Sequence, residues 1–189
     1  MKRRKGDWVI INRLADIIIA HGRNFTYHPK QWQPKGCIVE IGAGQSTSVL
    51  SHHAQEWGIN HYTCDLNPSR THHKTHLVSQ CSSAEFIKTF DDSPVLVLID
   101  GSHHYEDVKM EFDSFLPLMV EGGVIFIHDT YPPFEKWSKK GVHCGDSYKF
   151  RQELERRTDI EVFTWPYTAN SCGLTMVMRK EPSDLECRQ

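Results

Sequence analysis

Four groups of residues in this 189-residue chain have the types and spacing to do chemistry. Glu40-Ile41-Gly42-Ala43-Gly44 closes an apolar run and leads into Ser46 and Thr47. Asp65 and Leu66 end the next expected strand, Asp100-Gly101-Ser102-His103 follows a later one, and His128-Asp129 the one after that. Glycines behind a strand permit positive φ and let a ligand approach the backbone. An acid about 20 residues further on suits a ribose diol. Carboxylates ending two adjacent parallel strands, about 4.8 Å apart, can share one cation. An imidazole, with an ordinary pKa near 6.5, can take a proton from a hydroxyl group.

These groups need elements to hold them. Apolar positions at Val9, Ile10, Leu14, Ile17 and Ile18 predict an amphipathic helix over Trp8 to Ala20. A polar, aromatic loop, Gly22 to Gly36, follows it. Strands are expected at Cys37–Ile41, His61–Leu66, Thr75–Gln80, Val95–Ile99 and Val124–Ile127, the third weaker than the others. Helices are expected from Ser46 or Thr47, over Ala84–Phe90 and over Tyr105–Met119. The last third reads as a long loop, Tyr131–Gly145, a charged helix, Ser147–Arg157, and two strands, Glu161–Trp165 and Leu174–Met178, forming a hairpin. Alternating strand and helix imply an α/β fold, Rossmann-like, with a mostly parallel seven-stranded sheet, helices on both faces and an antiparallel C-terminal hairpin. In such sheets ligands bind beyond the carboxyl ends of the strands, where strand order reverses. All four residue groups fall there. One domain spans 1–189: a helix and loop over 1–36, a cofactor core over 37–130, and the loop, helix and hairpin over 131–189.

The composition excludes several classes. Charged residues at 24% and a net charge of −2 give no global signal for nucleic acid, and Lys2-Arg3-Arg4-Lys5 reads as a short solvated tail. No apolar stretch is long enough for a membrane span or a signal peptide. The cysteines, at 37, 64, 81, 144, 172 and 187, form no C-x-x-C pair and suit a reducing cytoplasm better than a disulfide framework. The adjacent pairs His52-His53 and His72-His73 read as surface residues, because neighbours point in different directions. A homo-oligomer stays open.

The first motif narrows the cofactor. Thr47 stands where the dinucleotide fingerprint has its third glycine, which weakens a pyrophosphate cradle. Glu40 lies two residues before Gly42, where its carboxylate can meet a positive group. A ligand with a ribose, an ammonium group and no pyrophosphate fits these facts, and S-adenosylmethionine is one. The plainer reading is a tight strand–helix turn with Asp65 capping the next helix.

Glu40-Ile41-Gly42-Ala43-Gly44-Gln45-Ser46-Thr47 resembles the first motif of class I methyltransferases. Leu98 through Val108, with Pro117 and Gly122 through Asp129, resembles the macrocin and mycinamicin type of sugar O-methyltransferase; the likeness covers about Cys37 to Thr130. It implies that Glu40, Gly42, Ala43 and Gly44 hold the methionine end, with Ser46 and Thr47 behind them. It places Asp65 on the ribose with Leu66 beside it, and Gln80, Cys81 and Ser82 near the adenine. Asp100, Gly101 and His103 would line the methyl end, with His103 as general base in an Asp-x-x-His motif. Metal-dependent relatives carry acids at the places of Asp100 and Asp129. Here His128 stands beside the latter, so the cation set Asp100, His128, Asp129 leaves Mg²⁺ and other divalent ions both open.

The expected activity is therefore S-adenosylmethionine-dependent O-methylation of a small hydroxylated acceptor, with a divalent cation an open part of it. N-methylation or a cephalosporin hydroxylase-like reaction on the same fold, a nicotinamide-dependent oxidoreductase, and a non-catalytic binding module remain as alternatives. Phe25, Tyr27, Trp32, Tyr131, Phe134 and Trp137 offer aromatic surface either for an acceptor pocket or for a lid over the core.

Overall fold

Strands buried at every position dictate the architecture. Cys37–Ile41 (β1) and Pro94–Ile99 (β4) expose none of their residues, as parallel strands covered on both faces must. The computed structural model describes residues 35–67, 77–138, 144–166 and 172–180. Between these two strands the chain forms α1 (Ser46–Trp57), β2 (His61–Cys64), β3 (Leu77–Ser79) and α2 (Ser83–Thr89). After β4 come α3 (Tyr105–Phe115), β5 (Val124–His128), α4 (Ser147–Leu154), β6 (Ile160–Trp165) and β7 (Leu174–Arg179).

The sheet order is β3-β2-β1-β4-β5-β7-β6. The first five strands run parallel, and β7 lies antiparallel between β5 and β6. The chain moves outward from β1 to β3, then returns to β4 on the other side of β1. Strand order therefore reverses between β1 and β4. Register keeps the tips level, with Ile41 opposite both Cys64 and Ile99, and Ile99 opposite Ile127. Gly42, Asp65, Asp100 and His128 thus emerge along one edge.

Alternate strand residues feed two cores. Val39, Ile41, Val97 and Ile99 pack with Phe112, Phe115 and Phe150 from α3 and α4. Ile38, Leu96, Leu98 and Phe126 pack with Leu50, Ala54 and Trp57 from α1. Each such fully buried phenylalanine or leucine is worth about 1.5–3 kcal/mol.

The seven-stranded, mostly parallel sheet and its hairpin match the expectation from the sequence. Element ends differ. Strand β2 stops at Cys64, and β3 shrinks to three residues. Helix α3 stops at Phe115, because Pro117 turns the chain into a 3-10 segment over Leu116–Leu118. Helix α4 ends at Leu154, short of Arg157. The helix expected over Trp8–Ala20 lies outside the described residues, as does the Gly22–Gly36 loop up to residue 34. One expectation is corrected: Cys144 and Cys172 form a disulfide. They stand 28 residues apart, and only the antiparallel placement of β7 against β5 brings the two loops together. Cys37, Cys64 and Cys81 are free. No helix among the described residues is long and apolar enough to cross a membrane.

Candidate active site

At the tip of β1, Glu40 is fully buried. Its carboxylate accepts from Ser46 Oγ and, at 3.2 Å, from Thr63 Oγ1, with His61 Nε2 at 3.5 Å. Glu40 therefore anchors the start of α1 to β2. Gln45, not Ser46 or Thr47, is the N-cap residue of α1. Thr47 Oγ1 instead accepts from Gly44 N at 3.0 Å, folding the glycine turn back on the helix.

The two glycines of the turn do different work. Gly42 has φ 90°, and a Cβ there would stand 2.3 Å from the carbonyl oxygen of Asp100. It is needed for the close passage of the β4 tip. A Cβ on Gly44 would meet nothing within 4 Å, so Gly44 opens onto free space. Asp65 is tied to this turn: its Oδ2 accepts from Ala43 N at 2.8 Å and its Oδ1 accepts from Asn67 N at 2.5 Å. Each carboxylate oxygen keeps a further lone pair for a hydroxyl donor. Leu66 beside it is 73% exposed, an apolar side chain at a strand tip.

Of the residues assigned to the adenine, Cys81 is half-buried, its carbonyl accepting from Cys64 Sγ at 3.2 Å. Ser82 caps α2 in a reciprocal box with Glu85. Gln80 reaches the carbonyl of Leu66 at 3.4 Å.

The second cluster forms where β4 and β5 end. His103 Nε2 lies 3.0 Å from Asp100 Oδ1, and its Nδ1 lies 3.3 Å from Asp129 Oδ2. His128 Nδ1 lies 2.9 Å from Asp100 Oδ1 and 3.4 Å from Asp129 Oδ1. Burial works against the charged form of Asp100, yet the His128 and His103 imidazoles outweigh it. They hold the carboxyl well below the usual carboxylate range. His103 and Asp129 both adopt the left-handed conformation, at φ 56° and 57°, and no other described non-glycine residue does. His103 is fixed through its carbonyl, which accepts from Asp146 N and Ser147 N, each at 3.1 Å. Gly145 makes that approach possible, since a Cβ there would stand 2.2 Å from the same carbonyl.

The structure thus gathers Asp100, His103, His128 and Asp129 at one place and Glu40, Gly42, Ala43, Gly44, Ser46, Thr47 and Asp65 at a neighbouring one, joined where Gly42 packs on Asp100. For a cation, Asp100, His103 and His128 offer donor atoms all within 4.8 Å of one another, whereas Asp129 groups with Cys144 and Cys172. His103, absent from the ligand set expected from the sequence, therefore stands beside Asp100 and His128 as a possible third donor.

Residues 39–130 match the family model of a methyltransferase domain. Among solved structures, PaMTH1 of Podospora anserina, bound to S-adenosylhomocysteine, is 17% identical. The match covers 89% of this chain and 78% of that one, with a TM-score of 0.58. TomG of Streptomyces achromogenes, an O-methyltransferase of tomaymycin synthesis in complex with S-adenosylmethionine, is 17% identical over 89% of this chain and 80% of its own, with a TM-score of 0.54. MycE of the mycinamycin pathway, in complex with Mg and S-adenosylhomocysteine, is 17% identical over 87% of this chain and 48% of its own, with a TM-score of 0.53. No curated protein matches the sequence. Residues 39–130 thus carry the sequence pattern of a methyltransferase domain, on a fold shared with these cofactor-bound methyltransferases.

The sequence motifs do not include every residue that shapes the site. Thr63 and His61, which hold Glu40, sit inside β2, outside the residues singled out from the sequence. Glu111 is a second omission. It is 2% exposed, lies beneath Gly101 and leaves Oε2 without a hydrogen-bond partner. Burial pushes its carboxyl up to about 7, against a hydrogen bond from Ser83. Glu111 is an acid on the same helical face as the apolar Val108, Phe112 and Phe115, a pattern visible in the sequence.

Proposed function

We propose that this methyltransferase moves the methyl group of S-adenosylmethionine to an oxygen of a small hydroxylated acceptor. The observation that carries the reading is His103, held beyond the tips of β4 and β5 between Asp100 and Asp129, beside the Asp100 backbone on which Gly42 packs. The donor's binding space fits the chain's residues. Gly44 leaves room for the methionine end, Asp65 faces the space with lone pairs for a ribose diol, and Leu66 offers an apolar surface for the adenine.

In the transfer the acceptor oxygen forms a bond to the methyl carbon, the carbon–sulfur bond breaks, and its electron pair stays on sulfur. The hydroxyl proton goes to His103. A neutral imidazole donates through one ring nitrogen only, so one of the two carboxylate contacts of His103 yields before it accepts that proton. Asp100 and Asp129, fixed at the ends of adjacent strands, orient the ring and favour its protonated form after transfer.

A divalent cation would find its donor set in Asp100, His103 and His128, with Asp129 beside them, 3.4 Å from His128 Nδ1. When bound it would stabilise negative charge on an acceptor oxygen and ease loss of its proton. The imidazoles suit Mn²⁺ or Zn²⁺ better than Mg²⁺, although MycE is described with Mg. The small-molecule acceptor follows TomG and MycE, which belong to pathways for small molecules.

The test is transfer of an isotope-labelled methyl group to sugars, phenols and amines, with and without a chelator. O-methyl products that depend on His103 support the reading. Label found only on amines, or on nothing, overturns it.

A further inference from the structure

Next to the catalytic cluster lie two sulfurs the transfer does not use. The Sγ atoms of Cys144 and Cys172 and a carboxylate oxygen of Asp129 all lie within 4.8 Å of one another, and all three residues are buried. In the disulfide form the two sulfurs are joined. We propose that reduction of this disulfide creates a thiolate-bearing site for a zinc-like divalent cation, with Cys144, Cys172 and Asp129 as its ligands.

Three observations carry the proposal. The ligand types are right: two thiolates and a carboxylate select zinc-like ions over magnesium, which takes oxygen ligands. The backbones of the ligands are held without help from the sulfur–sulfur bond. Ser147 Oγ donates to the carbonyl of Asp129 at 2.9 Å and to that of Cys144 at 3.2 Å, while Tyr131 N donates to the carbonyl of Cys172 at 2.6 Å. Breaking the bond therefore leaves the three side chains facing one another. The Cα atoms of the cysteines are 6.4 Å apart, so side-chain rotation alone can open the sulfurs to positions around one ion. Zn–S bonds are about 2.3 Å long. A fourth position falls to water or to His103, whose Nδ1 is 3.3 Å from Asp129 Oδ2.

The chemistry balances. An external dithiol gives two electrons and two protons to the disulfide, which becomes two thiols while the reductant becomes a disulfide. The incoming cation then displaces both thiol protons to solvent. Buried thiolates beside a carboxylate repel one another, and a divalent cation removes that repulsion. The site shares Asp129 with the catalytic cluster, so the thiol state of the chain reaches His103 through one carboxylate.

The test uses the full chain, reduced without oxygen and titrated with Co²⁺. Thiolate ligation gives an intense near-ultraviolet sulfur-to-cobalt band, which oxygen and imidazole ligands do not. The expected result is a band that saturates at one Co²⁺ per chain, disappears on adding Zn²⁺, and is missing from the oxidised protein and from Cys144→Ser and Cys172→Ser. No band in reduced wild-type protein that keeps its circular dichroism overturns the proposal without any variant. A band that survives Cys144→Ser also overturns it, since Cys64 and Cys81, with sulfurs 4.0 Å apart, would then be the ligands. Binding of S-adenosylhomocysteine, measured on the same samples, reports on the methyltransferase reading separately.

Discussion

The ring of His103 and the carboxylate of Asp129 meet at 3.3 Å, and both residues hold a backbone conformation that side chains avoid. Each costs about 1–3 kcal/mol where nothing compensates. Here the start of α4 compensates, gripping the His103 carbonyl through Asp146 N and Ser147 N and the Asp129 carbonyl through Ser147 Oγ. Strain at two facing residues places the ring in one position before any ligand arrives.

Removing the ring tests its role. His103→Ala is expected to lower turnover by about 10²–10⁴, the usual share of a general base. The Kd for S-adenosylhomocysteine should change only a few-fold. A full loss of cofactor binding would assign His103 to binding and leave the base unidentified.

The two glycines of the first turn should separate folding from binding. Gly42→Ala forces a Cβ against the Asp100 carbonyl at positive φ and should lower stability by about 2 kcal/mol or more. Gly44→Val faces open space, so its unfolding free energy in urea should stay within about 0.5 kcal/mol of wild type. Its Kd for S-adenosylhomocysteine should nonetheless rise at least tenfold. Equal effects of the two variants on stability would contradict the assignment of the space beside Gly44 to the cofactor.

Glu111 should make stability depend on pH in a defined direction. Its folded pKa, about 7, lies above the ordinary glutamate value of 4.5, so the folded chain keeps this proton longer than the unfolded one. Stability therefore falls as pH rises from 4.5 to 7 and levels off above that. A shift of this size corresponds to about 3 kcal/mol. Glu111→Gln should match wild type near pH 4.5 and exceed it at pH 8 in urea unfolding. A difference that does not change with pH would remove burial as the cause.

The sequence shows the parts of this fold that depend on local pattern. The all-apolar run before Asp100 makes β4, and the spacing of Gly42 to Asp65 sets the first two strand tips. The cluster of Asp100, His103, His128 and Asp129 was expected because strand ends lie together in a parallel sheet. What the pattern does not carry is side-chain direction. The spacing that singles out Glu40 does not record its bonds to Ser46 and Thr63, which follow from alternate residues of β1 facing α1. Asp129 was grouped with Asp100 and His128, but the turn at φ 57° also brings its carboxylate to Cys144 and Cys172. That pairing depends on contacts across 28 residues of chain, which no local spacing records.

The central claim is that the tips of β1 and β2 hold an adenosyl ligand, and calorimetric titration of S-adenosylhomocysteine into wild type and Asp65→Ala tests it most directly. The account predicts one site per chain, no binding of NADH, and an affinity loss of roughly tenfold to a hundredfold in the variant, the share of hydrogen bonds to a charged acceptor. No heat with millimolar S-adenosylhomocysteine, or an Asp65→Ala affinity equal to wild type, would contradict it.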